Sequence, residues 1–157
     1  MTQTPVILEL PGEAPLMLTQ LVVDFSGTLA LDGTLLPGVA ERLAEIAKRL
    51  RITVLTADTF GKAAEALHNL PMDVWILSTG KEKAQYVARL GADHVVAIGN
   101  GRNDMAMFTI AAIGIAVIGP EGAAGELVRV ADVVVRDIRD ALDLVMNPLR
   151  LKATLRD

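Results

Sequence analysis

Short apolar runs alternate with amphipathic stretches along almost the whole chain, and no other feature constrains the fold as strongly. Runs of strand length occupy residues 18–25, 51–56, 73–77, 94–98, 113–118 and 132–135. Between them lie helical patterns over 39–50, 61–70, 82–90, 103–111, 121–130 and 137–146. In the first of these helices Val39, Leu43, Ile46 and Leu50 recur at helical spacing; in the last, Ile138, Leu142 and Val145 do so. Gly91 ends one helix and Asn147-Pro148 stops another. Strands alternating with helices imply βαβ units, hence an α/β fold with a doubly wound, mostly parallel sheet and helices on both faces. Residues 6–10, followed by the turn cluster Pro11-Gly12-Glu13-Ala14-Pro15, predict a further strand that forms a hairpin with 18–25.

With 157 residues the chain is expected to form one domain: an N-terminal strand and turn over 1–17, a core over 18–146 and a tail over 147–157. Hydrophobic residues make up 52% and aromatic ones only 3%, so the core must be built of aliphatic side chains. That composition excludes disorder. The longest apolar run, 105–119, is broken by Thr109 and Gly114 and falls short of the roughly 20 residues a membrane span needs. A net charge of −4 provides no basic field for nucleic acid or a membrane surface. The one basic cluster, Arg150, Lys152 and Arg156, reads as a solvated terminus. The absence of cysteine excludes disulfides, thiolate zinc sites and cysteine nucleophiles. His68 and His94 lack a ligand spacing. No secretory signal is visible, which makes the cytoplasm the expected compartment.

Ligands of doubly wound sheets bind beyond the carboxyl ends of the strands, so the strand ends carry the functional information. They hold Asp24-Phe25-Ser26-Gly27-Thr28, then Thr56-Ala57-Asp58, and Gly99-Asn100-Gly101-Arg102-Asn103-Asp104; Lys83 lies in the helix after Gly80. Each alone has an ordinary structural explanation as cap, turn or surface residue. Together they make a chemical set. A strand-end carboxylate can attack phosphorus, and backbone N–H groups of the following turn can hold phosphoryl oxygens. A threonine hydroxyl and a lysine ammonium add donors, and Asn100 and Asp104 offer oxygens to Mg²⁺. Phosphoryl transfer needs little beyond positioning and charge neutralisation.

These residues resemble the haloacid dehalogenase (HAD) superfamily. Residues 24–28 look like its DxxGT motif, with Thr56, Lys83 and 99–104 matching its second, third and fourth motifs. The likeness is strongest to the phosphorylation domain of P-type ATPases: Leu55-Thr56-Ala57-Asp58 resembles LTGD, Lys83 with Val87 and Leu90 resembles KxxxVxxL, and 99–104 resembles GDGxND. Short soluble P-type-ATPase-like phosphatases are the nearest named group. The resemblance implies that Asp24 is the nucleophile of an aspartyl-phosphate, with Thr56 and Lys83 as its catalytic partners. Phosphate would be held by Phe25, Ser26, Gly27, Thr56, Ala57 and Lys83. Asn103 either contacts phosphate or caps the next helix. Mg²⁺ would be bound by Asp24, the Ser26 carbonyl, Asn100 and Asp104.

Two positions depart from the family's pattern. Ser26 stands where most of its phosphatases carry an acid/base Asp. Loss of such a group typically costs roughly 10²–10⁴-fold, so slow turnover or a persistent phosphoenzyme is expected. Asn100 stands where GDGxND has Asp, which lowers the charge of the metal site and is expected to shift the load to Asp104. The gaps between the motifs leave room only for a hairpin flap around 30–36 and no inserted cap. An open site suggests a large phosphorylated substrate, a protein partner, or a cap from another subunit of a homodimer. The leading reading is a Mg²⁺-dependent phosphohydrolase or phosphotransferase. The alternative is a non-catalytic module that binds phosphate or a partner. A receiver-like phosphoacceptor fits less well, because the early acidic pair it needs is missing.

Overall fold

The computed structural model describes residues 3–57 and 61–157. The chain opens with β1 (Val6–Leu8) and β2 (Leu16–Leu18), which pair antiparallel. The partner of β1 is therefore not the whole run 18–25. That run divides at Thr19, whose N–H donates to the His94 carbonyl and whose carbonyl accepts from Arg51 N–H, both at 3.0 Å. β3 (Gln20–Asp24) then enters the main sheet, where Leu21, Val22 and Val23 are buried. Parallel pairing on both edges of β3 satisfies its backbone and buries alternate side chains on opposite faces, which a hairpin partner could not do.

Next come β4 (Ala30–Leu31) and β5 (Thr34–Leu35), an antiparallel flap. Its turn places Asp32 at φ 52° and Gly33 at φ 85°, the doubly positive pair that two-residue hairpins favour. The order continues with α1 (Val39–Ile46), β6 (Arg51–Thr56), α2 (Lys62–Leu67), β7 (Asp73–Ile76) and α3 (Gly80–Leu90). It ends with β8 (Val95–Gly99), α4 (Met105–Ile110), β9 (Ile113–Val117), α5 (Gly125–Val130), β10 (Val133–Val135), α6 (Ile138–Met146) and α7 (Pro148–Leu155).

The main sheet is six-stranded and parallel, in the order β10-β9-β8-β3-β6-β7. Chain order reverses at β3, which is the position where a doubly wound sheet opens a crevice at its carboxyl edge. One face buries Leu21, Val23, Ile52, Val54 and Ile98 under residues of α1, α2, α6 and α7. The other buries Val22, Leu55, Ala97 and Ala116 under α3, α4 and α5. The α/β architecture with helices on both faces and an N-terminal hairpin agrees with the sequence expectation.

Two differences bear on packing and on the site. The expected tail is helical over Pro148–Leu155: Pro148 stops α6 but starts α7, where its fixed φ and missing N–H are tolerated. Leu151 of α7 is fully buried, while Arg150 and Arg156 face solvent. The helix expected over 121–130 begins only at Gly125, because Gly119–Gly122 closes a turn with Gly122 at φ 74°. Among the described residues no helix is long and apolar enough to cross a membrane.

Candidate active site

Asp24 ends β3, and its two sheet neighbours, β6 and β8, end in Thr56 and Gly99. The topology thus gathers three of the predicted segments at one edge. α3 brings the fourth. Its N-terminus is fixed by a capping box in which Thr79 Oγ1 accepts from Glu82 N–H at 3.2 Å and Thr79 N–H donates to Glu82 Oε1 at 3.2 Å. Lys83, one turn into the helix, is aimed inward and is completely buried. Its ammonium donates to Asp24 Oδ1 at 3.1 Å and to Asp104 Oδ1 at 2.9 Å.

This ion triad is the electrostatic centre of the site. Burial raises the Asp24 pKa first, and the Asp104 charge raises it further. Lys83 and the Phe25 N–H pull it back, and the balance is about 7. For Lys83, burial alone lowers the pKa, but the charges of Asp104 and Asp24 reverse this and hold it above the ordinary lysine value. Lys83 is therefore an ammonium at neutral pH, and Asp24 changes charge close to it.

The loop after Asp24 turns tightly. The Phe25 carbonyl accepts from the N–H groups of Thr28, Leu29 and Ala30, at 3.2, 2.9 and 3.1 Å. Gly27 N–H donates to the Ala30 carbonyl at 2.8 Å, so this N–H, expected at phosphate, is engaged within the loop. Phe25 is buried, whereas Ser26 is exposed. Thr56 is buried at the end of β6, and Ala57 is exposed beyond it. Asp58 lies outside the described residues.

Asp104 differs in its surroundings from the sequence expectation. Both its oxygens have partners: Oδ1 holds Lys83, and Oδ2 accepts from the N–H groups of Asn100 at 3.2 Å and Gly101 at 3.0 Å. Gly99 makes this possible, since a Cβ there would collide with the Asp104 carboxylate. The carboxylate is thereby built into the loop rather than presented as an open ligand. Asn103 does not cap α4, whose N-cap is Asp104. Its amide donates to the Ser78 carbonyl at 3.4 Å and ties this loop to the segment before α3.

Thr28 belongs among the site residues although sequence reasoning passed over it as a mere motif member. Its hydroxyl lies 3.5 Å from Asp24 Oδ2 and donates to Asn100 Oδ1 at 3.1 Å. Two oxygens from different strand ends thus converge on one hydroxyl. Both are oxygen donors, the ligand type a hard cation such as Mg²⁺ prefers. Among the described residues no trio of Asp, Glu, His or Cys side chains is placed to hold a metal unaided.

The sequence profile of haloacid dehalogenase-like hydrolases matches residues 40–141, a span that includes Thr56, Lys83, Asn100 and Asp104. The chain belongs to that family. An uncharacterised protein of Methanocaldococcus jannaschii is 54% identical over 63 residues, which are 40% of this chain and 68% of that protein. The HAD fold is shared with the cobalt-bound deoxy-D-mannose-octulosonate 8-phosphate phosphatase of Haemophilus influenzae. That structure has TM-score 0.70 at 12% identity and covers 87% of this chain and 91% of its own. A zinc-transporting PIB-type ATPase in its E2.Pi state has TM-score 0.62 at 25% identity, over 77% of this chain and 20% of that one. The likeness of this HAD protein to P-type ATPases, read from its motifs, thus has a structural counterpart.

Proposed function

We propose that this hydrolase is a Mg²⁺-dependent phosphohydrolase or phosphotransferase that works through an aspartyl-phosphate on Asp24. One observation carries the reading: a fully buried lysine bridges Asp24 to a second carboxylate at the switch point of the sheet. A buried ammonium between two carboxylates costs desolvation, and such strongly perturbed groups concentrate where chemistry is done. Its fixed positive charge lies beside the atom that would bond to phosphorus.

In this mechanism Asp24 attacks the phosphorus atom, the bond to the leaving oxygen breaks, and the phosphoryl group becomes an acyl phosphate on Asp24. Lys83 and the Thr56 hydroxyl hold phosphoryl oxygens, with the Ser26 backbone, Ala57 and Asn103 at the rim of the site. Asp24, the Ser26 carbonyl and Asn100 would hold Mg²⁺, and Asp104 contributes by fixing Lys83 and the Asn100 loop. A cation held there would supply charge neutralisation for the transferred group. Ser26 has no acid/base capacity near neutral pH, so the leaving group must depart unaided and water must attack the acyl phosphate unassisted. Acyl and aryl phosphates are the favoured substrates for that reason. The absence of an inserted cap between Thr28 and Thr56, where only the flap and α1 intervene, points to a large phosphorylated substrate or a phosphoprotein.

Turnover of p-nitrophenyl phosphate or acetyl phosphate with Mg²⁺, compared in wild type and Asp24→Asn, tests the reading. Loss of activity in the variant supports it. Beryllium fluoride binding without turnover points instead to a phosphate-binding module. The Asp24 pKa adds a pH signature. Only the carboxylate attacks, so the rate at low Mg²⁺ should rise with pH through about 7. Added cation favours the charged form and should move the midpoint lower. A pH-independent rate between about 5 and 8 would contradict this assignment.

A further inference from the structure

Asn100 leaves the cation site short of charge. With Asp24 ionised, Asp24 and Asp104 carry two negative charges against the single positive charge of Lys83. One net negative charge is poor neutralisation for a divalent ion. The turn after β9 supplies a third carboxylate. Asn100 itself holds this turn in place: its Nδ2 donates to the Gly122 carbonyl at 3.2 Å, and its carbonyl accepts from Ala124 N–H at 2.8 Å. Gly119 packs on the nucleophile loop, with the Gly27 carbonyl 3.2 Å from where a Cβ would stand.

From that turn the Glu121 side chain reaches over Gly27. A Cβ at Gly27 would lie 2.6 Å from Asn100 Nδ2 and 2.7 Å from Glu121 Oε2. Amide and carboxylate therefore share the same small space, and Gly27, at φ 75°, takes a backbone conformation that favours glycine. The Glu121 carboxylate is exposed and makes no hydrogen bond or ion pair among the described residues.

We infer that Glu121 supplies, from the turn after β9, the negative charge that Asn100 lacks, and so is a positioning residue for the divalent cation. It acts across a water shell rather than as a direct ligand: Glu121 Oε2 and Asn100 Nδ2 both lie beside Gly27, while Asn100 Oδ1 faces Thr28. Outer partners of this kind typically change metal affinity by about 10–100-fold. The inference rests on the cation site of the proposed function.

Calorimetric titration of Mg²⁺ alone into the full chain tests it. Glu121→Gln should weaken binding by about tenfold. Glu126→Gln removes the same charge from an exposed position of α5, where Glu126 pairs with Arg102 at 3.4 Å, and should leave affinity unchanged. Asn100→Asp in the Glu121→Gln background should restore it, because the missing charge returns at the other position. Wild-type affinity in Glu121→Gln would overturn the inference and leave the proposed function standing. Equal losses in both glutamine variants, or no restoration by Asn100→Asp, would overturn it too. Failure of the wild-type protein to bind Mg²⁺ would overturn the inference together with the cation site on which it rests.

Discussion

Lys83→Met should abolish phosphoryl transfer and destabilise the protein by about 3–5 kcal/mol, the usual loss when one partner of a buried ionic group is removed. The methionine fills similar volume, so the effect isolates charge from packing. Asp24 and Asp104 would then face each other in the interior without a cation. Asp24 would resist ionisation, and its pKa, already about 7 with Lys83 present, would rise further. The direction with pH follows. A carboxyl whose folded pKa lies above its unfolded value gives stability that is present at low pH and lost as pH rises through the folded value. The deficit of the variant should therefore be small at about pH 5 and large at about pH 8. Urea denaturation at the two pH values reads this directly. A midpoint equal to wild type at the higher pH would show that Lys83 does not compensate the two carboxylates.

Ser26→Asp should raise steady-state turnover of an unactivated alkyl phosphate by about 10²–10⁴-fold, the range a positioned acid/base commonly contributes. The site tolerates the change because Ser26 is exposed and lies on the turn whose backbone bonds involve Phe25, Gly27 and Ala30 rather than its side chain. The new carboxyl group, in its protonated form, would donate a proton to the leaving oxygen, and the carboxylate left behind would then accept a proton from the attacking water. The gain should be small for p-nitrophenyl phosphate in the first step, whose leaving group needs no proton. Accumulation of phosphoenzyme should fall in the variant as hydrolysis accelerates. Unchanged turnover with both substrates would mean that residue 26 does not limit the reaction.

The sequence carried the parts of this account that depend on local pattern. Period-2 and period-3.6 spacing locates the strands and helices, and the strand-end rule brings Asp24, Thr56 and residues 99–104 together from sequence alone. Lys83 was readable from its motif alone, since its burial depends on α3 packing over the sheet. What stayed hidden depends on long-range geometry. The division at Thr19 arises because β6 and β8 compete with β1 for the same run. The seating of Leu151 in α7 depends on an apolar surface formed by distant elements. Asp104 and Asn100 have similar short oxygen-bearing side chains, and nothing in their spacing says which one will be enclosed by backbone N–H groups. Glu121 falls at the start of the helix predicted over 121–130. Only the Gly119–Gly122 turn turns it toward Gly27, although the strand-end rule applied to β9 would have pointed to that turn.

The central claim is that Asp24 becomes phosphorylated, and mass spectrometry of the acid-quenched protein after incubation with acetyl phosphate and Mg²⁺ tests it most directly. One phosphoryl group should add to the wild-type chain, map to the peptide containing Asp24, and be released by hydroxylamine as an acyl phosphate is. Asp24→Asn should show none. No adduct on the wild type, or an adduct that persists in Asp24→Asn, would contradict the account.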